Sequence, residues 1–135
     1  MNEFEYRVKL VDDYLTKLNL SSEITDYYKG RNILVTGGAG AIGSNLVTVL
    51  SKLVGDEGII IVLDNLSAIK GDDPIDLPPL SNIMFVNGDV RNDIDLKRVF
   101  REKPTIVYHL AAFFANQNSV DYPENSADVD IQGMI

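Results

Sequence analysis

Three glycines, Gly37, Gly40 and Gly43, fall three residues apart in ILVTGGAGAIGSNL (residues 33–46), between an apolar run and a segment that is apolar again at helical spacing. Such residues do chemistry through the backbone. A strand ending at Thr36 must turn sharply into a helix that opens near Ala41, and Gly37 can take the angles this turn demands. Gly40 has no side chain to hold a phosphate away from the main chain, and Gly43 lets the helix pack close to the strand. The free N–H groups and positive dipole end of that helix then face a pyrophosphate. Asp64 completes the pattern. It ends the next apolar run, 21 residues beyond Gly43, where an acidic residue accepts hydrogen bonds from an adenosine ribose. Asp64 also repels a 2′-phosphate, and no Arg follows within five residues, so NAD is favoured over NADP as the cofactor.

The elements that position these residues follow from periodicity. NILVT (32–36), GIIIVLD (58–64), NIMFVN (82–87) and TIVYHLAA (105–112) are short and apolar at nearly consecutive positions, the pattern of parallel strands covered on both faces. Between the first two, Ile42, Leu46, Val49, Leu50 and Leu53 mark an amphipathic helix. Ile94, Leu96, Val99 and Phe100 supply the apolar side of another over 93–103, ended by Pro104. The expected fold is α/β, a Rossmann-type doubly wound parallel sheet of about four strands. The stretch 67–81, with Pro74, Pro78 and Pro79, reads as an irregular surface excursion. Ala127, Val129, Ile131 and Met134 are spaced like a helix beginning to cover the sheet.

Residues 1–30 read as a helical extension before a nucleotide-binding body at 31–135. Phe4, Val8, Val11, Leu15 and Leu18 recur at steps of three and four, which aligns them on one side of a helix. That stripe reads first as packing on its own domain and second as a contact within a homodimer or an arm that docks elsewhere. Ser21 and Ser22 can cap a second short helix reaching Tyr27 and Tyr28, closed by Gly30.

Composition narrows the partners. Twenty acidic residues against twelve basic ones leave a net charge of −8, which disfavours a grip on nucleic acid or anionic lipid. The chain has no cysteine and one histidine, so no metal site is expected and a reducing compartment fits. His109 reads as a packed, hydrogen-bonded imidazole inside a buried strand. The N-terminus lacks the apolar core of a signal peptide, and no stretch approaches the roughly 20 apolar residues of a membrane span, so the chain is expected in the cytoplasm.

The G-x-x-G-x-x-G spacing of TGGAGAIGS, together with LDN (63–65), GDVRN (88–92) and VYHLAA (107–112) in order, resembles the extended short-chain dehydrogenase/reductases, and within them the NAD-dependent nucleotide-sugar epimerases and dehydratases. The resemblance implies that Gly37, Gly40, Ala41, Ile42 and Gly43 line the pyrophosphate and that Asp64 and Asn65 meet the adenosine ribose. It implies that Asp89 and Val90 reach the adenine edge, and that Leu110, Ala111 and Ala112 border the ribose on the nicotinamide side. In FFANQNSVDYP (113–123), Asn116, Gln117, Asn118 and Ser119 are compact hydrogen-bonding groups suited to the hydroxyls of a nucleotide-sugar substrate. Phe114 stands where galactose epimerases commonly carry Lys, and Asp130 stands where the family usually has Asn. The family's chemistry also uses a Tyr and a Lys four residues apart, and no Y-x-x-x-K occurs in the 135 residues. Two functions are therefore expected: the NAD-binding portion of a nucleotide-sugar epimerase or dehydratase that works by transient hydride transfer at a sugar carbon, or an NAD-binding module or decayed relic without catalysis.

Overall fold

The computed structural model describes residues 2–69, 71, 73–113 and 120–134. Helix α1 (Glu3–Leu18) opens with a capping box, in which the Asn2 side chain accepts from the Glu5 N–H and the Glu5 carboxylate accepts from the Asn2 N–H, satisfying two backbone donors at once. Ser21 caps α2 (Ser22–Tyr28), and Gly30, at φ +70°, turns the chain into β1 (Asn32–Thr36). Then come α3 (Ala41–Val54), β2 (Ile59–Asp64), β3 (Ile83–Asn87), α4 (Asp93–Phe100), β4 (Ile106–His109) and α5 (Pro123–Asp130).

The four strands form one parallel sheet in the order β3-β2-β1-β4. The chain steps outward from β1 to β3, and α4 then carries it back across to the far side of β1. The strand order reverses there, and the crevice beyond the carboxyl ends of β1 and β4 is where open α/β sheets take ligands. Side chains alternate between the two faces. Ile33, Val35, Ile60 and Val62 pack on Val47, Leu50 and Val54 of α3. Leu34, Ile61 and Leu63 of the opposite face pack with Val86, Val90 and Val99, with Leu96 of α4 beside them. Helices on both faces explain why β1 and β2 are apolar at consecutive positions. Each fully buried Ile, Leu or Val contributes about 1.5–3 kcal/mol.

The N-terminal helices pack on the α3 side. The Lys52 ammonium lies 3.1 Å from the Asp12 carboxylate, and the Arg7 guanidinium lies 2.8 Å from Asp76, which also accepts from the Ser44 hydroxyl. Asp76 thereby pins the described part of the 67–81 excursion, which forms no helix or strand, between α1 and α3. At the other end, the Tyr28 and Tyr108 hydroxyls are 2.7 Å apart. That bond, aided by burial, pushes the Tyr108 phenol up to about 12.

Several expectations need correction. Strand β4 is not covered on both faces, because Val107 and His109 are exposed while Ile106 and Tyr108 are half-buried. The His109 ring is thus hydrogen-bonded but not buried. Leu18 leaves the buried stripe of α1, whose other members Phe4, Val8, Val11 and Leu15 are half-buried. In α3, Ile42 is 77% exposed and Val47 takes its expected place in the core. Helix α4 stops at Phe100, with Lys103 in the left-handed region at φ +50°, and its Ile94 and Phe100 side chains are exposed. Near the end of the chain, α5 buries none of its residues, and Ala127, Ile131 and Met134 stay exposed.

Candidate dinucleotide-binding site

The β1–α3 turn is built around close backbone contacts. Gly37 has φ +69°, and a Cβ there would lie 2.6 Å from the Ala111 nitrogen and 2.7 Å from the Leu110 carbonyl carbon. Its N–H donates to the Leu63 carbonyl at 2.8 Å, so the turn is held between the ends of β2 and β4. At Gly43, a Cβ would fall on the Gly37 carbonyl oxygen and within 2.6 Å of the Gly38 Cα. Gly40 differs. A Cβ at Gly40 would meet only the Gly37 oxygen, at 3.4 Å, so the protein does not require glycine there. Gly40 is the N-cap of α3 and offers no side-chain cap to the helix. Its open side is a cradle where backbone donors and the positive end of a 14-residue helix can meet an anion. Ala41 and Ile42 form the exposed first turn beside it.

Asp64 sits at the carboxyl end of β2 and faces this turn. One carboxylate oxygen accepts from the Ala39 N–H at 2.9 Å and the other from the Leu66 N–H at 2.8 Å. A carboxylate oxygen has two lone pairs, so each keeps capacity for a hydroxyl donor. The second bond is local and bends the chain so that Leu66 takes φ +59°. Asn65 is exposed, with its carbonyl oxygen on the Ser67 N–H and its amide 3.4 Å from Asp89.

Past β3, the Asp89 carboxylate accepts from the Arg91 Nε at 2.9 Å and Nη2 at 2.7 Å, and from the Arg91 N–H at 2.9 Å. This bidentate guanidinium holds the Asp89 carboxyl at about 2, well below its ordinary 3.8. A depressed carboxylate adds stability that is complete above the unfolded value and is lost as pH falls through the folded one. Arg91→Gln should therefore cost about 0.5 kcal/mol above pH 4, a small amount because both groups are partly solvated. Urea unfolding should show that difference closing as pH drops towards 2; a constant difference at all pH values would contradict the pairing.

The structure brings most of the expected residues to the carboxyl end of the sheet. Gly37 meets the backbone of Leu110 and Ala111 directly, while Ala112 is exposed one residue on. Asp64, Asn65 and Asp89 share one end of the sheet, and the Gly88 N–H donates to the Asp64 carbonyl. Val90 is the exception. Its side chain is buried in the second core cluster, which leaves only its backbone to face a ligand. Asn116, Gln117, Asn118, Ser119 and Phe114 lie outside the described residues. Asp130 accepts from the Phe113 N–H at 2.7 Å and the Ser126 hydroxyl at 3.0 Å, so an acceptor there ties α5 to the segment after β4.

Four contributors are not legible as site residues in the sequence. A Cβ at Gly38 would lie 2.7 Å from a Val62 methyl; only the adjacency of a second glycine hints at it. Arg91 is two residues from Asp89, and that short D-x-R spacing is its only signal. Asp95 accepts from the Asp89 N–H, and its carboxylate would meet a Cβ placed on Gly88. The Thr36 hydroxyl accepts from the Ala111 N–H at 3.3 Å and lies 2.7 Å from His109 Nδ1, a pairing made by strands far apart in sequence.

Residues 34–135 match the family described as GDP-mannose 4,6 dehydratase. The chain belongs to this family. Among relatives of this GDP-mannose 4,6-dehydratase family member, the CDP-paratose 2-epimerase of Salmonella typhi is 36% identical over 106 residues, covering 76% of this chain and 30% of that enzyme. An epimerase of Methanothermobacter thermautotrophicus superposes with a TM-score of 0.75 at 47% identity, covering 83% of this chain and 32% of that one. The UDP-glucose 4-epimerase of Thermus thermophilus, solved in complex with NAD, gives a TM-score of 0.60 at 36% identity over 76% of this chain and 30% of its own. The resemblance to extended short-chain dehydrogenase/reductase epimerases and dehydratases therefore holds. The chain spans about 30% of the length of these relatives. Among the described residues, no group of His, Asp and Glu is placed to hold a metal ion, and no helix is long and apolar enough to cross a membrane.

Proposed function

We propose that this chain binds NAD and forms the cofactor-binding part of a nucleotide-sugar epimerase or dehydratase. The observation that carries the proposal is the open side of Gly40 at the N-terminus of α3, with Asp64 held against the same turn by the Ala39 N–H. Gly37, Gly40, Ala41, Ile42 and Gly43 line the pyrophosphate, with the N–H groups of the first turn of α3 as its donors. Asp64 and Asn65 accept from and donate to the adenosine ribose. Asp89, the backbone of Val90 and the neighbouring Arg91 border the adenine, and Leu110, Ala111 and Ala112 border the second ribose. Bound NAD supplies a site that takes up a hydride from a sugar carbon and returns it. The residues of this chain hold and orient the dinucleotide, while Asn116, Gln117, Asn118 and Ser119 are offered to the hydroxyls of the nucleotide sugar. A cytoplasmic setting belongs to the same proposal and is supported by the cysteine-free composition, which suits a reducing compartment.

Calorimetric titration with NAD and NADP tests this reading. NAD should bind and NADP should bind more weakly, because Asp64 repels a 2′-phosphate and Arg91 is already paired with Asp89. Asp64→Ala should weaken NAD binding by about 1–3 kcal/mol, the loss of hydrogen bonds to a charged acceptor. Unchanged affinity would remove Asp64 from the ribose site, and no heat with either dinucleotide would end the proposal.

A further inference from the structure

Helix α1 has two apolar sides, and the fold uses one of them. Phe4, Val8, Val11 and Leu15 are half-buried towards the body of the domain. At 100° per residue, Tyr6, Leu10 and Tyr14 lie on another side, 54%, 48% and 59% exposed. Exposed Glu3, Asp13 and Lys17 share that side. The ion pairs Arg7–Asp76 and Asp12–Lys52 anchor the helix to the excursion and to α3, so the second stripe is presented on a fixed support.

The stripe is symmetric in shape and opposite in charge about its centre. Tyr6 and Tyr14 stand four residues either side of Leu10, and Glu3 and Lys17 stand seven either side. A surface of this kind complements its own reverse. In an antiparallel pair with Leu10 on the two-fold axis, each Tyr6 meets a Tyr14 and each Glu3 meets a Lys17. A parallel pair would set Glu3 against Glu3 and Lys17 against Lys17, a juxtaposition that costs affinity. A closed two-fold contact requires such self-complementarity.

We infer that two copies of this chain associate through α1, antiparallel, by way of the Tyr6–Leu10–Tyr14 stripe. One 16-residue helix falls at the small end of the roughly 800 Å² per partner of a stable complex. The dimer is therefore weak and concentration-dependent. The inference is independent of the NAD reading, since no residue of the stripe belongs to the dinucleotide site.

Sedimentation equilibrium of the full chain over a wide concentration range tests it, with circular dichroism confirming helix content in each variant. The wild type should shift from monomer to dimer as concentration rises. Leu10→Glu, which places two carboxylates side by side on the axis, should weaken the dimer at least about tenfold, and Leu10→Ala should weaken it less. Glu3→Lys and Lys17→Glu should each weaken it by about threefold, in keeping with exposed ion pairs, and the double variant should regain wild-type association. A monomer at every concentration, with the stripe left for another partner, would overturn the inference. So would a dimer indifferent to Leu10→Glu, or a double reversal no better than the single ones.

Discussion

Gly43→Ala is expected to destabilise the protein by about 3 kcal/mol, in the upper range for forcing an extra carbon into a packed site. A chain of this length should then melt about 10 °C lower. The added methyl would land on the Gly37 carbonyl oxygen and crowd the Gly38 backbone. These are main-chain atoms, so no rotamer change relieves the clash. The turn itself is held by the Gly37 N–H on Leu63 and the Ala39 N–H on Asp64, and moving it away from α3 breaks those bonds. Thermal and urea unfolding measure the loss directly. A variant as stable as the wild type would show that α3 does not pack on the turn as closely as described.

Gly40→Val is expected to do the opposite: to leave the fold intact and abolish dinucleotide binding. Its φ of −76° and ψ of 174° are extended angles open to any residue, and the space for a Cβ is free. The branched side chain would instead fill the cradle and keep a phosphate from the backbone donors at the start of α3. Losing two charge-assisted contacts at about 1.5–3 kcal/mol each weakens binding at least about a hundredfold. Calorimetry with NAD, beside an unfolding curve within about 1 kcal/mol of the wild type as expected for an N-cap change, gives the result. Normal NAD affinity in this variant would refute the phosphate cradle. Together the two glycines separate a role in packing from a role in binding, although both stand in one motif.

Much of this molecule is local enough to read from its sequence. β1 and β2 are apolar at consecutive positions, and burial on both faces requires that pattern. The glycine turn and the Asp64 spacing follow from what a strand, a tight turn and a helix N-terminus need from their residues. The second N-terminal helix is marked by Ser21, whose capping role involves a neighbour three positions on, and by Gly30, whose positive φ closes the segment. The failures are at the other length scale. Val107, Ile94 and Phe100 have the apolar character of buried residues yet are exposed, and His109 stays exposed although its ring is bonded to Thr36 of the neighbouring strand.

The parallel α/β sheet, the glycine turn and an acidic residue at the end of β2 are legible along the chain, because periodicity and backbone conformation are properties of short segments. That Arg91 neutralises Asp89, that Thr36 joins β1 to the segment after β4, and that Gly40 alone of the three glycines leaves open space comes from how the segments pack. The same packing sets which side of α1 is half-buried and which faces outward. These depend on where distant segments come to lie, and crossing the sheet from β3 to β4 brings together residues that no spacing along the chain relates.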